Sequence, residues 1–90
     1  MAERRRRYEV QLVASARREL LKLPARMRVR VADAIRALAT DPQPPGCKKL
    51  AGNAEYFRIR VGDCRILYEV RDRAILVLVI KIGHRRDVYR

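Results

Sequence analysis

The sequence is short of acid. Ten Asp and Glu residues face 22 Lys and Arg, which gives a formal charge of +12 and a pI near 11 over 90 residues. An imbalance of this size points to nucleic acid or to an acidic protein as partner. Long apolar runs are also missing. No stretch of 18 apolar residues occurs, so no segment reads as membrane-spanning, and MAERRRRY at the start lacks the apolar core of a secretory signal. The expected location is cytoplasmic. Cysteine is limited to Cys47 and Cys64, and histidine to His84. These show no metal-ligand spacing, and two thiols in a reducing compartment are expected to stay free. Neither a metal nor a cofactor is expected, because a chain that buries only ~60–65% of its unfolded surface has no room for a bulky one. Internal repeats are absent, and residues 1–90 read as one domain. The Arg4–Arg7 run reads as solvated charge with some non-specific attraction for RNA.

What is present divides into helical and strand patterns. Residues 8–13 (YEVQLV) alternate polar and apolar and predict a first strand. Ser15 is the candidate N-cap of a short helix, ARRELLKL, which Pro24 stops or kinks. Met27, Val31, Ile35 and Leu38 recur at helical spacing with Arg26, Arg28, Arg30, Asp33 and Arg36 off that stripe, so a second helix is expected to pack antiparallel to the first. It ends near Thr40, before Pro42, Pro44, Pro45 and Gly46. A loop over residues 41–53, with Cys47 exposed, leads into three strands. Gly62-Asp63 and residues 71–73 supply the tight turns between them. The final run, AILVLVIKI, is apolar on both faces and marks a central strand or one completed by a partner. The expected architecture is α+β: an N-terminal strand, a helix pair, then a three-stranded antiparallel meander, with both helices on one sheet face.

Side chains alternate faces along a strand. Phe57, Ile59 and Val61 then point one way and Arg58 and Arg60 the other. In the next strand Cys64, Ile66, Tyr68 and Val70 point inward, while Arg65, Leu67 and Glu69 point outward. Lys81, Gly83 and Arg85 share parity in the last strand. The uncovered face becomes a plate of guanidinium groups edged by Tyr89. Like charges ~5–7 Å apart in water repel by about 0.6–0.8 kcal/mol per pair, so four arginines cost roughly 2–4 kcal/mol before screening. Such a cluster in a marginally stable domain is a candidate phosphate-binding surface.

Four blocks, ARRELLKLP, AIRALATDPQPPGCKKLAG, YFRIRVGDCRILYEV and VLVIKIGHRRDVYR, resemble in order and spacing the RelE/ParE superfamily, the toxins of bacterial type II toxin–antitoxin pairs. The resemblance implies a compact α+β toxin held inactive by a co-expressed acidic antitoxin, with a heterotetramer as one assembly of the pair. It also implies one of two targets. RelE-type members cleave mRNA in the ribosomal A site, and ParE-type members share the fold but poison DNA gyrase without nuclease chemistry. The RelE catalytic positions fall here on Arg58, Arg60, Arg65, Arg85 and Tyr89, which favours a ribosome-dependent endoribonuclease. Lys81, Arg86 and Arg90, with Arg58 and Arg60, are the expected RNA-binding residues. RelE typically carries lysine where this chain has Arg58 and Arg60. Arginine is never neutral in practice, so both are expected to clamp phosphate rather than act as a base. Tyr89 is the candidate for orienting or deprotonating the 2′-hydroxyl, and Arg85 for stabilising the leaving oxygen. His84 points away from the plate by strand parity and is held in reserve as an acid or base.

Overall fold

The inward faces of three strands supply most of the core. In the computed structural model, which describes residues 7–50, 52 and 55–84, β1 spans Glu9–Leu12, β2 Lys48–Lys49, β3 Tyr56–Val61, β4 Cys64–Arg71 and β5 Leu76–His84. They form one sheet in the order β1-β5-β4-β3-β2. Phe57 and Ile59 of β3, Cys64, Ile66, Tyr68 and Val70 of β4, and Val77, Val79 and Ile82 of β5 are all buried. The alternation of inward residues expected from the sequence therefore holds through β3 and β4, whereas in β5 it shifts by one residue between Val79 and Ile82. Strand β5 lies between β1 and β4.

Two helices close the inner face. Helix α1 (Ala14–Leu21) and helix α2 (Ala25–Ala37) contribute Ala16, Val31 and Ile35, with Leu23 and Leu38 from their flanks, to the same core cluster. Leu20, Met27 and Ala34 pack against it. Spacings of three and four residues place all of these on one side of each helix. The connection is held by Arg28, whose guanidinium donates to the carbonyls of Leu21 and Leu23 at 3.3 and 3.2 Å. A cation there meets carbonyls that α1 leaves unpaired at its C-terminus.

Several boundaries differ from expectation. Ser15 does not cap α1; it lies inside the helix, and Val13 takes the N-cap position without a side-chain bond. The backbone decides this, because Val13 is still extended and donates to the Val79 carbonyl at 3.0 Å. Strand β1, whose pairing the sequence left open, runs parallel to β5 and makes the sheet mixed. Lys48 and Lys49, expected in a loop, form an edge strand antiparallel to β3. Residues 72–75 make the β4–β5 turn, so β5 begins at Leu76 and runs on through Gly83 to His84. Ile75 takes φ 53 there, a costly conformation for a β-branched residue. Its carbonyl accepts from Glu9 at 2.9 Å, and Tyr8 donates its hydroxyl to Asp72 at 2.6 Å, so the first strand pins this turn. Gly62 alone has positive φ (58) in the β3–β4 turn, the φ pattern of a type II′ hairpin.

The proline-rich loop is anchored rather than loose. Tyr68 is fully buried, stacks on Phe57 at 5.9 Å and donates its hydroxyl to the Pro42 carbonyl at 2.7 Å. Cys47 is half-buried against the core beside that hydroxyl, not exposed. Among the described residues no helix is long and apolar enough to cross a membrane.

Candidate nucleic-acid interface

Pairing register fixes which side chains meet on the outer face. Arg60 lies directly opposite Arg65, which faces Gly83 on its other side. One row along, Lys48, Arg58, Leu67 and Lys81 follow each other across four strands. Directly opposed residues share a face, with Cβ atoms roughly 4.5–5.5 Å apart. Arg58, Arg60 and Arg65, expected together from the sequence, are therefore brought together. Arg58 and Arg65 are half-buried and Arg60 is exposed. Neither Arg58 nor Arg60 forms an ion pair with an acid among the described residues.

A bulge makes the Lys81 placement possible. Tyr68 pairs with Val79 but Leu67 pairs with Lys81, leaving Ile80 without a partner on β4. One extra residue reverses the parity of everything beyond it. Without it Lys81 would share the buried face of Val77 and Val79. With it Ile82 goes inward and Lys81 outward.

The outer face is nonetheless not uniformly basic. Glu69, which the sequence puts among the arginines, is buried and accepts two bonds from Arg71, at 3.0 and 3.2 Å. It therefore neutralises the far end of β4 rather than the plate. Lys81 is also engaged, its ammonium lying 3.0 Å from Glu19 of α1. His84 faces Cys64 in register, which puts it on the core side, as parity predicts. Arg85, Arg86, Tyr89 and Arg90 lie outside the described residues, as do Arg4–Arg6 of the basic run. Sequence reasoning missed Lys48. Its signal was the KK pair following a proline-rich turn, which becomes legible only once β2 is known to pair with β3.

Burial tunes two groups on the opposite face. The Cys64 thiol is pushed above its ordinary value mainly by burial, with the Asp63 carboxylate adding and Arg30 opposing. The Tyr68 phenol is pushed well above its usual value, first by burial and then by Cys47 and Asp41. Both stay neutral at physiological pH and act as packing groups. No three His, Cys, Asp or Glu side chains gather to hold a metal ion among the described residues.

The described plate is thus Arg58, Arg60 and Arg65, flanked by Lys48 and Lys81, on a sheet face that the helices leave uncovered. The family model for the ParE toxin of type II toxin–antitoxin systems (parDE) matches residues 10–89. The chain belongs to the RelE/ParE superfamily of toxins. The toxin is 36% identical over 87 residues to toxin RelG of Mycobacterium tuberculosis, covering 92% of this chain and 97% of the relative. Its fold superposes with TM-score 0.78 on a chain of the toxin–antitoxin complex RelBE2 of the same organism. There the identity is 32%, over 96% of this chain and all of that one. The archaeal RelE–RelB complex of Pyrococcus horikoshii gives TM-score 0.78 at 25% identity, covering 87% and 94%. The toxin is RelE-like, with a fold of two helices on a five-stranded sheet.

Proposed function

We propose that this toxin is a ribosome-dependent mRNA endonuclease that blocks translation in the cytoplasm. The observation that carries the reading is the register of β3 and β4, which packs Arg58, Arg60 and Arg65 onto one open face, with Arg58 and Arg60 unneutralised by described acids. A guanidinium cluster grips phosphate through charge-assisted bonds and stabilises the extra negative charge of a pentacoordinate transition state. The reaction is in-line attack by the 2′-hydroxyl on its own 3′-phosphate. The O2′–P bond forms and the P–O5′ bond breaks, leaving a 2′,3′-cyclic phosphate and a 5′-hydroxyl. The 2′ proton leaves with Tyr89 orienting or accepting it, and the departing 5′-oxygen gains a proton with Arg85 beside it. His84, on the core side at the strand end, is held as the reserve acid or base. Because arginine cannot serve as a base, the toxin depends on the ribosome to hold mRNA aligned for attack.

The partner in the resting state is an acidic, RelB-like antitoxin that covers the plate. A second reading has its own support, since the matching family model is that of ParE: gyrase inhibition without nuclease activity. Primer extension on translating ribosomes separates the two. Codon-phased cuts that vanish in Arg58→Ala/Arg60→Ala and in Tyr89→Phe support the nuclease. Uncut message together with gyrase-linked double-strand breaks replaces it with the second reading.

A further inference from the structure

Strand β1 pairs with β5 only from Leu76 to Val79, and then the chain turns into α1. Beyond that point the outer edge of β5 has no neighbouring strand among the described residues, and α1 lies against it instead. Glu19 of α1 fills the gap with both carboxylate oxygens. Oε1 accepts the backbone N–H of Ile82 at 2.8 Å, and Oε2 accepts the Lys81 ammonium at 3.0 Å. The Glu19 side chain is 29% exposed and the Lys81 side chain 57%, so the pair is reachable by a ligand arriving at the outer face. Lys81 faces Leu67 in register, with Arg58 next along the same row, so Glu19 holds an ammonium that stands at the end of a basic row of the outer face.

We propose that Glu19 is a positioning residue that sets the RNA affinity of the outer face: an internal counter-ion that phosphate must displace from Lys81, while its other oxygen holds the end of β5 in place. The proposal rests on the reading that this face binds RNA, but not on cleavage or on the ribosome. Glu19 and Asp33 are the only acids in the helical layer, and Asp33 is paired with Arg36 on the exposed side of α2. The two acids therefore provide a matched comparison, one beside the plate and one away from it.

The test uses the purified toxin and a short, uncleavable 2′-O-methyl oligoribonucleotide, with binding followed by fluorescence anisotropy from ~50 to ~200 mM salt. Glu19→Gln keeps an oxygen for Ile82 and removes the charge. It should tighten binding by about two- to five-fold at the low-salt end, the range that an exposed ion pair commands. It should also steepen the dependence of log K on log salt by about 0.7, one added phosphate contact. In a Lys81→Ala background the same substitution should give no gain, and Asp33→Asn should give none in either background. A gain that survives loss of Lys81, an equal gain from Asp33→Asn, or no gain at all overturns the proposal. The positioning half is read by hydrogen exchange: the Ile82 amide should exchange roughly tenfold faster in Glu19→Ala than in Glu19→Gln. Equal protection in the two variants removes that half. If Arg58→Ala/Arg60→Ala leaves binding unchanged, the RNA reading itself fails and this proposal with it. If that variant loses affinity while Glu19→Gln gains nothing, only the role of Glu19 is lost.

Discussion

The opposition of Arg60 and Arg65 has a measurable cost. Replacing Arg60 with Gln preserves length and polarity and removes one charge from the row. Two repulsions disappear, one with Arg65 directly across the hairpin and one with Arg58 two residues along the same strand. At ~6–7 Å in water each amounts to about 0.6–0.7 kcal/mol, and screening at ~0.15 M salt removes roughly half. The variant should therefore be more stable than the parent by about 1 kcal/mol at low ionic strength and about 0.6 kcal/mol near physiological salt. For a chain of this size that is a rise in Tm of roughly 3–6 °C. Urea titrations across a salt series read it directly: the parent should gain stability as salt is added, and Arg60→Gln should gain less. Toxicity should fall in the same variant, because the proposed function makes the discarded charge a phosphate ligand. A variant that is less stable at low salt, or whose advantage over the parent ignores salt, refutes the idea that these guanidiniums are held together against repulsion. This is the stability–function conflict expected where a site is built for a ligand and not for the fold.

Other substitutions probe the face beneath the plate and the helix pair. Tyr68→Phe leaves the Pro42 carbonyl without its partner and should cost about 1–2 kcal/mol in urea unfolding. The sign of its pH dependence is set by an acid whose folded pKa lies above its ordinary value of 10.0. Stability from the neutral phenol is complete below about pH 10 and is lost as pH rises beyond it, so the parent should weaken in strong alkali and Tyr68→Phe should lose that component. Iodoacetamide at mildly alkaline pH should label Cys47 well before Cys64, which is fully buried with its pKa raised; equal rates by mass spectrometry would contradict the packing. Arg28→Ala should lower stability by about 1 kcal/mol, through lost bonds to the Leu21 and Leu23 carbonyls, with little effect on RNA binding.

Much of this was legible because two periodicities are cheap to read. The alternation in YFRIRV and CRILYEV assigns inward and outward residues without any knowledge of partners, and the Gly62-Asp63 turn then forces Arg60 opposite Arg65. The helix stripe through Met27, Val31, Ile35 and Leu38 was equally local, and all four residues pack inward. Ser15 misled because the capping preference is a local one, while Val13 was committed to a long-range bond with Val79. Strand β2 stayed hidden for the same reason: two lysines carry no strand signal until β3 offers them an edge. Cys47 was misplaced because its burial depends on Tyr68 reaching 26 residues back to Pro42.

The bulge at Ile80 shows where local reading and long-range structure part company most sharply. Residues 75–80 are all apolar (ILVLVI), so the pattern through this stretch gives no parity signal, and a slip of one residue is invisible in it. Yet that slip decides whether Lys81 is buried beside Val79 or delivered to the arginine face, and whether Ile82 presents its N–H to α1. Burying a lysine without a partner is far more costly than the distortion of one bulge. The charge at position 81 therefore works with the apolar residue at 82 to select the bulged register over the regular one. Glu19 then reinforces that choice, because in the shifted strand its carboxylate holds both Lys81 and the Ile82 amide. On this argument Lys81→Leu removes the main penalty against the regular register, and the strand end beyond Ile80 should show doubled backbone resonances in NMR. Glu19→Gln, which retains an oxygen for Ile82 and leaves Lys81 charged, should show a single set. Doubling in neither variant would mean that the bulge is fixed by the core around Tyr68 and Val79 alone.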